Sequence, residues 1–249
     1  MTALLQQPRS VIELLVASFK LYTDSFTKLI GYSLIVFALN RLIAVFVIDA
    51  MPAVDKTLDP DEQMTAMLQM LPSMFGIMFI AILVSCVFYS AMIYRIDNVA
   101  NARDDNFVEV LLSAVKKFPT IIVAGILYSI AITIGTLLLV IPGIILTISL
   151  SFCGYFILLE EMGGYESLMA SHRLVWGDWW RTNVVFFIPT FILVIIFFII
   201  GFFSGIFNPT ADPSSTFDIG SDLLGAIITP YFYAIGYLQY HDLKLRKKM

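Results

Sequence analysis

Apolar residues in this chain run in blocks too long for the core of a soluble domain of its size. The blocks cover 29–48, 74–94, 121–140, 144–159, 184–207 and 223–238. A helix needs about 20 apolar residues to cross the hydrocarbon core of a bilayer. Each block therefore predicts a transmembrane helix, the shorter fourth and sixth extending into interfacial residues. The period-two alternation of a membrane barrel is missing from the sequence. The expected fold is all-α: a polytopic membrane protein with six transmembrane helices, forming a single integral membrane domain over 1–249.

Outside the blocks the pattern turns amphipathic, and it repeats. Three stretches, 11–20, 107–116 and 164–173, each precede an odd-numbered block. Each carries a glutamate followed seven positions later by a base: Glu13 and Lys20, Glu109 and Lys116, Glu166 and Arg173. Small residues stand four and five positions after each glutamate (Ala17 and Ser18, Ser113 and Ala114, Ala170 and Ser171). Seven residues is close to two helical turns, so glutamate and base share a face. Ile12, Leu15, Phe19, Tyr22 and Phe26 form an apolar stripe in the first stretch. Such helices rest in the interface plane of a membrane. The expectation is a three-fold internal repeat, each unit an amphipathic interfacial helix followed by a transmembrane hairpin.

Local signals refine the boundaries. Ile141-Pro142-Gly143 interrupts a charge-free run of 39 residues, too long for one crossing, and predicts a tight hairpin there. Asp59-Pro60-Asp61-Glu62 reads as a helix start, and the stripe Met64, Met67, Leu68 and Leu71 predicts a short amphipathic helix on the far surface. Trp176, Trp179 and Trp180, beside Arg181, mark an interfacial aromatic belt.

Composition agrees: 59% of the residues are hydrophobic and 14% charged, against about a quarter charged in soluble domains. The net charge of −4 conceals a sharp asymmetry. With six crossings, thirteen of the fifteen lysines and arginines fall on the side that holds both termini; Lys56 lies opposite and Arg41 within the first block. Excess Lys and Arg marks the cytoplasmic side, so both termini are expected in the cytoplasm. Cys86 and Cys153 fall inside spans and predict buried thiols rather than a disulfide. The first block lacks the layout of a cleavable signal and is read as an uncleaved span.

The stretch 141–181 carries Ile-Pro-Gly-Ile, then Phe156, Leu158-Leu159-Glu160, Gly163, Glu166, Leu168, Ala170, Ser171, Leu174 and Gly177-Asp-Trp-Trp-Arg181. It resembles the YciC-like family of uncharacterised bacterial inner-membrane proteins. It is also similar to the membrane domain attached to some bacterial glycerophosphodiester phosphodiesterases. The resemblance implies a multi-pass protein of the bacterial inner membrane. It implies no catalytic residues, because phosphodiesterase chemistry in those enzymes belongs to a separate soluble domain.

Arg41, next to Asn40, is the one ionisable residue deep within a block, and the pair is the candidate ligand-binding site. Two readings stand side by side: an anchor that snorkels or pairs, and a group recognising an anion such as a lipid phosphate. Glu13, Lys20, Glu109, Lys116, Glu166, Arg173, Trp176, Trp179, Trp180 and Arg181 are the expected membrane-interface residues. Met64, Met67, Met70 and Met74 suit membrane packing better than a soft-metal site. His172 and His241 lack metal-ligand spacing, and no phosphate loop or nucleophile elbow is present. The acid pairs Asp104-Asp105 and Glu160-Glu161 read as solvated helix ends, and the basic tail as a lipid-facing anchor. The sequence thus predicts no enzyme, no cofactor, no metal and no nucleic acid, with membrane lipids as partners. The leading function is a lipid- or partner-organising membrane module; the alternative is a small transporter or permease for an amphiphilic or anionic solute.

Overall fold

A computed structural model describes residues 7–50, 59–207 and 213–247, and within them every regular element is a helix. The order is α1 (Val11–Ala50), α2 (Pro60–Ala100), α3 (Phe107–Leu138), α4 (Val140–Ser149), α5 (Cys153–Leu159), α6 (Gly164–Val175), α7 (Trp179–Phe207) and α8 (Pro213–Lys247). Among the described residues five stretches are long and apolar enough to cross a membrane: Val11–Ile43, Leu71–Ala100, Phe107–Leu138, Val140–Leu159 and Trp179–Phe203. Their outward faces stay apolar, as with Phe75 and Phe79 on α2, Ile126 and Ile130 on α3, and Phe198 and Phe202 on α7. Faces of this kind suit a lipid surrounding. The chain is an all-α, multi-pass membrane protein.

The amphipathic stretches are placed differently from expectation. The first two are no separate surface helices but the opening turns of α1 and α3, which continue unbroken into their spans. Helical hydrogen bonding propagates wherever nothing stops it, and neither stretch ends in glycine or a proline pair. Pro119 lies inside α3 without ending it. Likewise the Asp59 start is real, with Pro60 at the first helical position, but that helix runs on through Pro72 to Ala100. Only the third stretch stands alone, as the 12-residue α6. Trp176 leaves the helical conformation there and Gly177 takes a φ of +96°, a region that strains any residue with a Cβ.

The recurring glutamates have a simple origin. Each occupies the third position of its helix, after Ser10, Asn106 and Gly163 at the caps. Ser10 and Glu13 form a reciprocal capping box: the Ser10 amide donates to Glu13 Oε2 at 2.9 Å and the Glu13 amide to Ser10 Oγ at 3.3 Å. Five positions on, Ser18, Ala114 and Ser171 are all fully buried, because a small residue there lets each helix seat closely on its neighbours. The likeness is thus one of three helix starts.

The fourth span is split at residues 150–152 into α4 and α5. Backbone groups freed by such a break must find partners inside the protein, since lipid offers none. Ser171 of α6 supplies them, its hydroxyl donating to Ser149 O at 2.8 Å and accepting from the Phe152 amide at 3.0 Å. The preceding hairpin turns at Leu139, the one extended residue between α3 and α4. Pro142 and Gly143 lie in the first turn of α4 rather than in the turn itself. Gly143 is there for contact: a Cβ on it would stand 3.0 Å from the backbone of Thr136 on α3.

The centre belongs to α8. Its lower half (Ala234, Ile235, Tyr237, Leu238, Tyr240 and Leu243) is buried, packed by α1, α2 and α7. It is not among the five apolar spans, and its neighbours cover this lower half. Gly143→Ala should lower the melting temperature in detergent by several degrees, the cost of overpacking being about 1–3 kcal/mol. Gly125→Ala, where nothing lies within 4 Å of the added Cβ, should leave it unchanged or slightly raised.

Candidate functional site

The last three turns of α8 present a polar side chain to nearly every element around them. Asp242 is fully buried. Its Oδ1 accepts from the Arg9 amide at 2.7 Å, and its Oδ2 accepts from Arg181 Nη2 at 2.8 Å and Arg246 Nε at 2.7 Å. Arg181 Nη2 and Arg246 Nη2 each also donate to the Arg9 carbonyl at 2.7 Å. One carboxylate thereby joins the chain just before α1, the start of α7 and the end of α8. Burial pushes the Asp242 carboxyl up, but the bonds from Arg246, Arg9 and Arg181 outweigh it and hold the group below the usual carboxylate range.

Two guanidinium groups sharing the same two acceptors are close neighbours, and two unit charges about 5 Å apart repel by about 3 kcal/mol at an effective dielectric of about 20. Asp242 is the charge that allows them to converge. Arg246 keeps 30% of its side chain exposed and Arg181 16%, so the cluster opens on the protein surface.

Three further acids are engaged elsewhere in the bundle. Glu160, at the end of α5, accepts from Tyr240 and from Lys244 Nζ at 2.6 Å. Asp97 of α2 accepts from Tyr237 at 2.8 Å and pairs with Arg103 at 3.2 Å. Asp105, its side chain 5% exposed, faces Arg95 at 2.9 Å and accepts from Asn98 at 3.1 Å. His241 lies against the rings of Tyr237 and Tyr240, and burial holds its imidazole below the ordinary range.

These placements correct two expectations. Asp105 and Glu160 are not solvated ends but buried or half-buried partners of bases; Asp104 and Glu161 are the exposed members of those pairs. The basic tail is bound rather than free: Lys247 donates to the carbonyls of Arg173 and Trp176, stitching the end of α8 to the end of α6. Lys248 lies outside the described residues.

Of the expected interface residues, Glu13, Lys20, Glu109, Lys116, Glu166 and Arg173 are exposed, as are Trp176 and Trp180. Trp179 is half-buried and donates to Ile145 O at 3.3 Å. Arg181 alone among them enters the Asp242 cluster. Arg41 is half-buried and Asn40 exposed, about 45 Å along α1 from its start, remote from that cluster. Among the described residues no group of three or more His, Cys, Asp or Glu could hold a metal ion.

Sequence reasoning missed Asp97, Asp105, Glu160 and Asp242 as buried or half-buried acids with partners. The available signal was Asp242 four residues before Arg246, a helical ion-pair spacing. Asp242→Ala should destabilise the detergent-solubilised protein by on the order of 3 kcal/mol, because it leaves two guanidinium groups crowded without their carboxylate. The depressed Asp242 pKa fixes the sign of its pH dependence. Its stabilisation is complete above the unfolded value near about 3.9 and is lost as pH falls through the lower folded value. Melting curves taken from neutral to acid pH should show that loss in the parent protein and a smaller one in Asp242→Asn.

No curated protein and no solved structure matches the chain. The family model described as "Uncharacterised protein family (UPF0259)" matches residues 54–235, which takes in α2 to α7 and most of α8. That is well over half of the sequence, and the chain belongs to this uncharacterised family, UPF0259.

Proposed function

We propose that the chain is a non-enzymatic inner-membrane module that crosses the bilayer six times and organises anionic lipid, or a partner that binds with it, at its basic end. The observation that carries the reading is the rim of that end. Where Lys247 ties the end of α8 to the end of α6, exposed Arg173 and half-exposed Arg246 accompany Trp176 and Trp180, residue types that favour the headgroup level.

Parity supports the sixth crossing. Arg9 and Arg246 touch, so both ends of the chain lie on one side, which requires an even number of crossings. Five helices are apolar enough, and α8, 35 residues or about 52 Å long, supplies the sixth from the interior. Excess lysine and arginine on that side favours the cytoplasm for both termini. The three like helix starts fit a three-fold repeat worn down in its first two units, and the likeness to the phosphodiesterase membrane domain belongs to the same proposal. Against an enzyme, the acids and bases of the basic end are occupied with one another. Nucleic acid and cofactors have no part in the reading, and Arg41 is kept as a second anion contact at the far end of α1.

A transporter is the second reading, favoured by the α4–α5 break, since broken helices build midplane sites in transporters. Ser171 already fills the groups that break frees, which weighs against it. Native mass spectrometry of the purified protein should show co-purified lipid enriched in anionic species over the bulk membrane; retention of none removes the module reading. Proteoliposomes loaded with an anionic amphiphile should leak no faster than empty vesicles, and protein-dependent flux would favour the transporter instead.

A further inference from the structure

We propose that the cluster of Arg9, Arg181 and Arg246 around Asp242 is a binding site for the phosphate of an anionic phospholipid, a proposal that rests on the lipid-organising reading above.

Charge makes the first argument. Two guanidinium groups meet on a single carboxylate, and that carboxylate is fully buried. Arg9 is exposed beside them: its carbonyl accepts from both guanidinium groups, and its charge acts on Glu13, whose carboxylate is already bonded to Ser10. The cluster therefore keeps a surplus of positive charge, and Asp242 holds it from the inside, leaving the outer edge for an anion. Planar guanidinium groups suit phosphate oxygens, which they bind through paired donors.

Position makes the second. Arg181 directly follows Trp180, which is 77% exposed, so the cluster lies at the level where lipid headgroups sit. From the same point α1 and α7 leave with exposed apolar rows, Ile12, Val16 and Phe19 on one and Val184, Phe187 and Phe191 on the other. A diacyl lipid with its phosphate on the arginines has an apolar surface for its chains on either helix. A free phosphate ion would use the same donors and ignore those rows.

The test uses full-length protein in a neutral detergent, titrated with phosphatidylglycerol, phosphatidylcholine or inorganic phosphate and read by native mass spectrometry. Phosphatidylglycerol should bind in preference to phosphatidylcholine. Arg9→Ala, which leaves the backbone bonds to Asp242 in place, should lower its occupancy by about tenfold, the loss of one charge-assisted contact. Arg246→Gln should do the same, with the melting temperature of both variants measured alongside to confirm the fold. A headgroup preference that survives both substitutions in folded protein overturns the proposal, because the lipid then binds elsewhere. Equal retention of the two lipids, or retention of neither, overturns this site together with the anionic-lipid reading it rests on, whereas a preference that survives the substitutions leaves that reading standing. Arginine-dependent binding of inorganic phosphate without any lipid preference overturns the lipid assignment.

Discussion

A carboxylate buried at the end of the last helix governs how this bundle closes. Asp242 could not remain ionised in the interior alone, and three bonds from Arg9, Arg181 and Arg246 make it stable there. Those bonds come from the two ends of the chain and from the helix that precedes α8. A single ion cluster thereby ties the start of α1 and the start of α7 to the end of α8. Lys244 on Glu160 and Lys247 on the carbonyls of Arg173 and Trp176 extend the same closure to α5 and α6.

This closure explains why α8 differs from the five apolar spans. A helix facing lipid must be apolar, whereas one enclosed by protein can carry Gln239, Tyr237 and Tyr240, provided each finds a partner. Gln239 donates to Thr182 at 3.1 Å, and the tyrosines reach Asp97 and Glu160. Close approach also matters at the rim of the bundle. Ser18, Ala114 and Ser171 share one register position in three helices, and their small size brings α1, α3 and α6 against the core.

The membrane character was legible because it rests on composition over long windows. The helix start at Asp59-Pro60 was legible too, because Pro60 acts locally at the first helical position; the caps Ser10 and Asn106 emerge only from the fold. Helix continuity was not. Nothing in residues 21–28 stops α1, and a switch from amphipathic to wholly apolar pattern looks like a boundary without being one. The break at 150–152 was equally hidden, since Leu150-Ser151-Phe152 contains no helix breaker and the partner that stabilises it, Ser171, is about twenty residues away. Buried acids were illegible for the same reason. Asp104 and Asp105 are neighbours of identical chemistry, and only the fold decides which one meets Arg95.

The ion cluster holds the residues just before α1, the end of α8 and the α6–α7 corner together. Spin labels at Gln7 and Arg173, in protein whose Cys86 and Cys153 are replaced by serine, measure this directly in lipid nanodiscs. The expected result is one short, narrow distance distribution that broadens in Asp242→Ala. A long or broad distribution in the unaltered cluster would contradict the account.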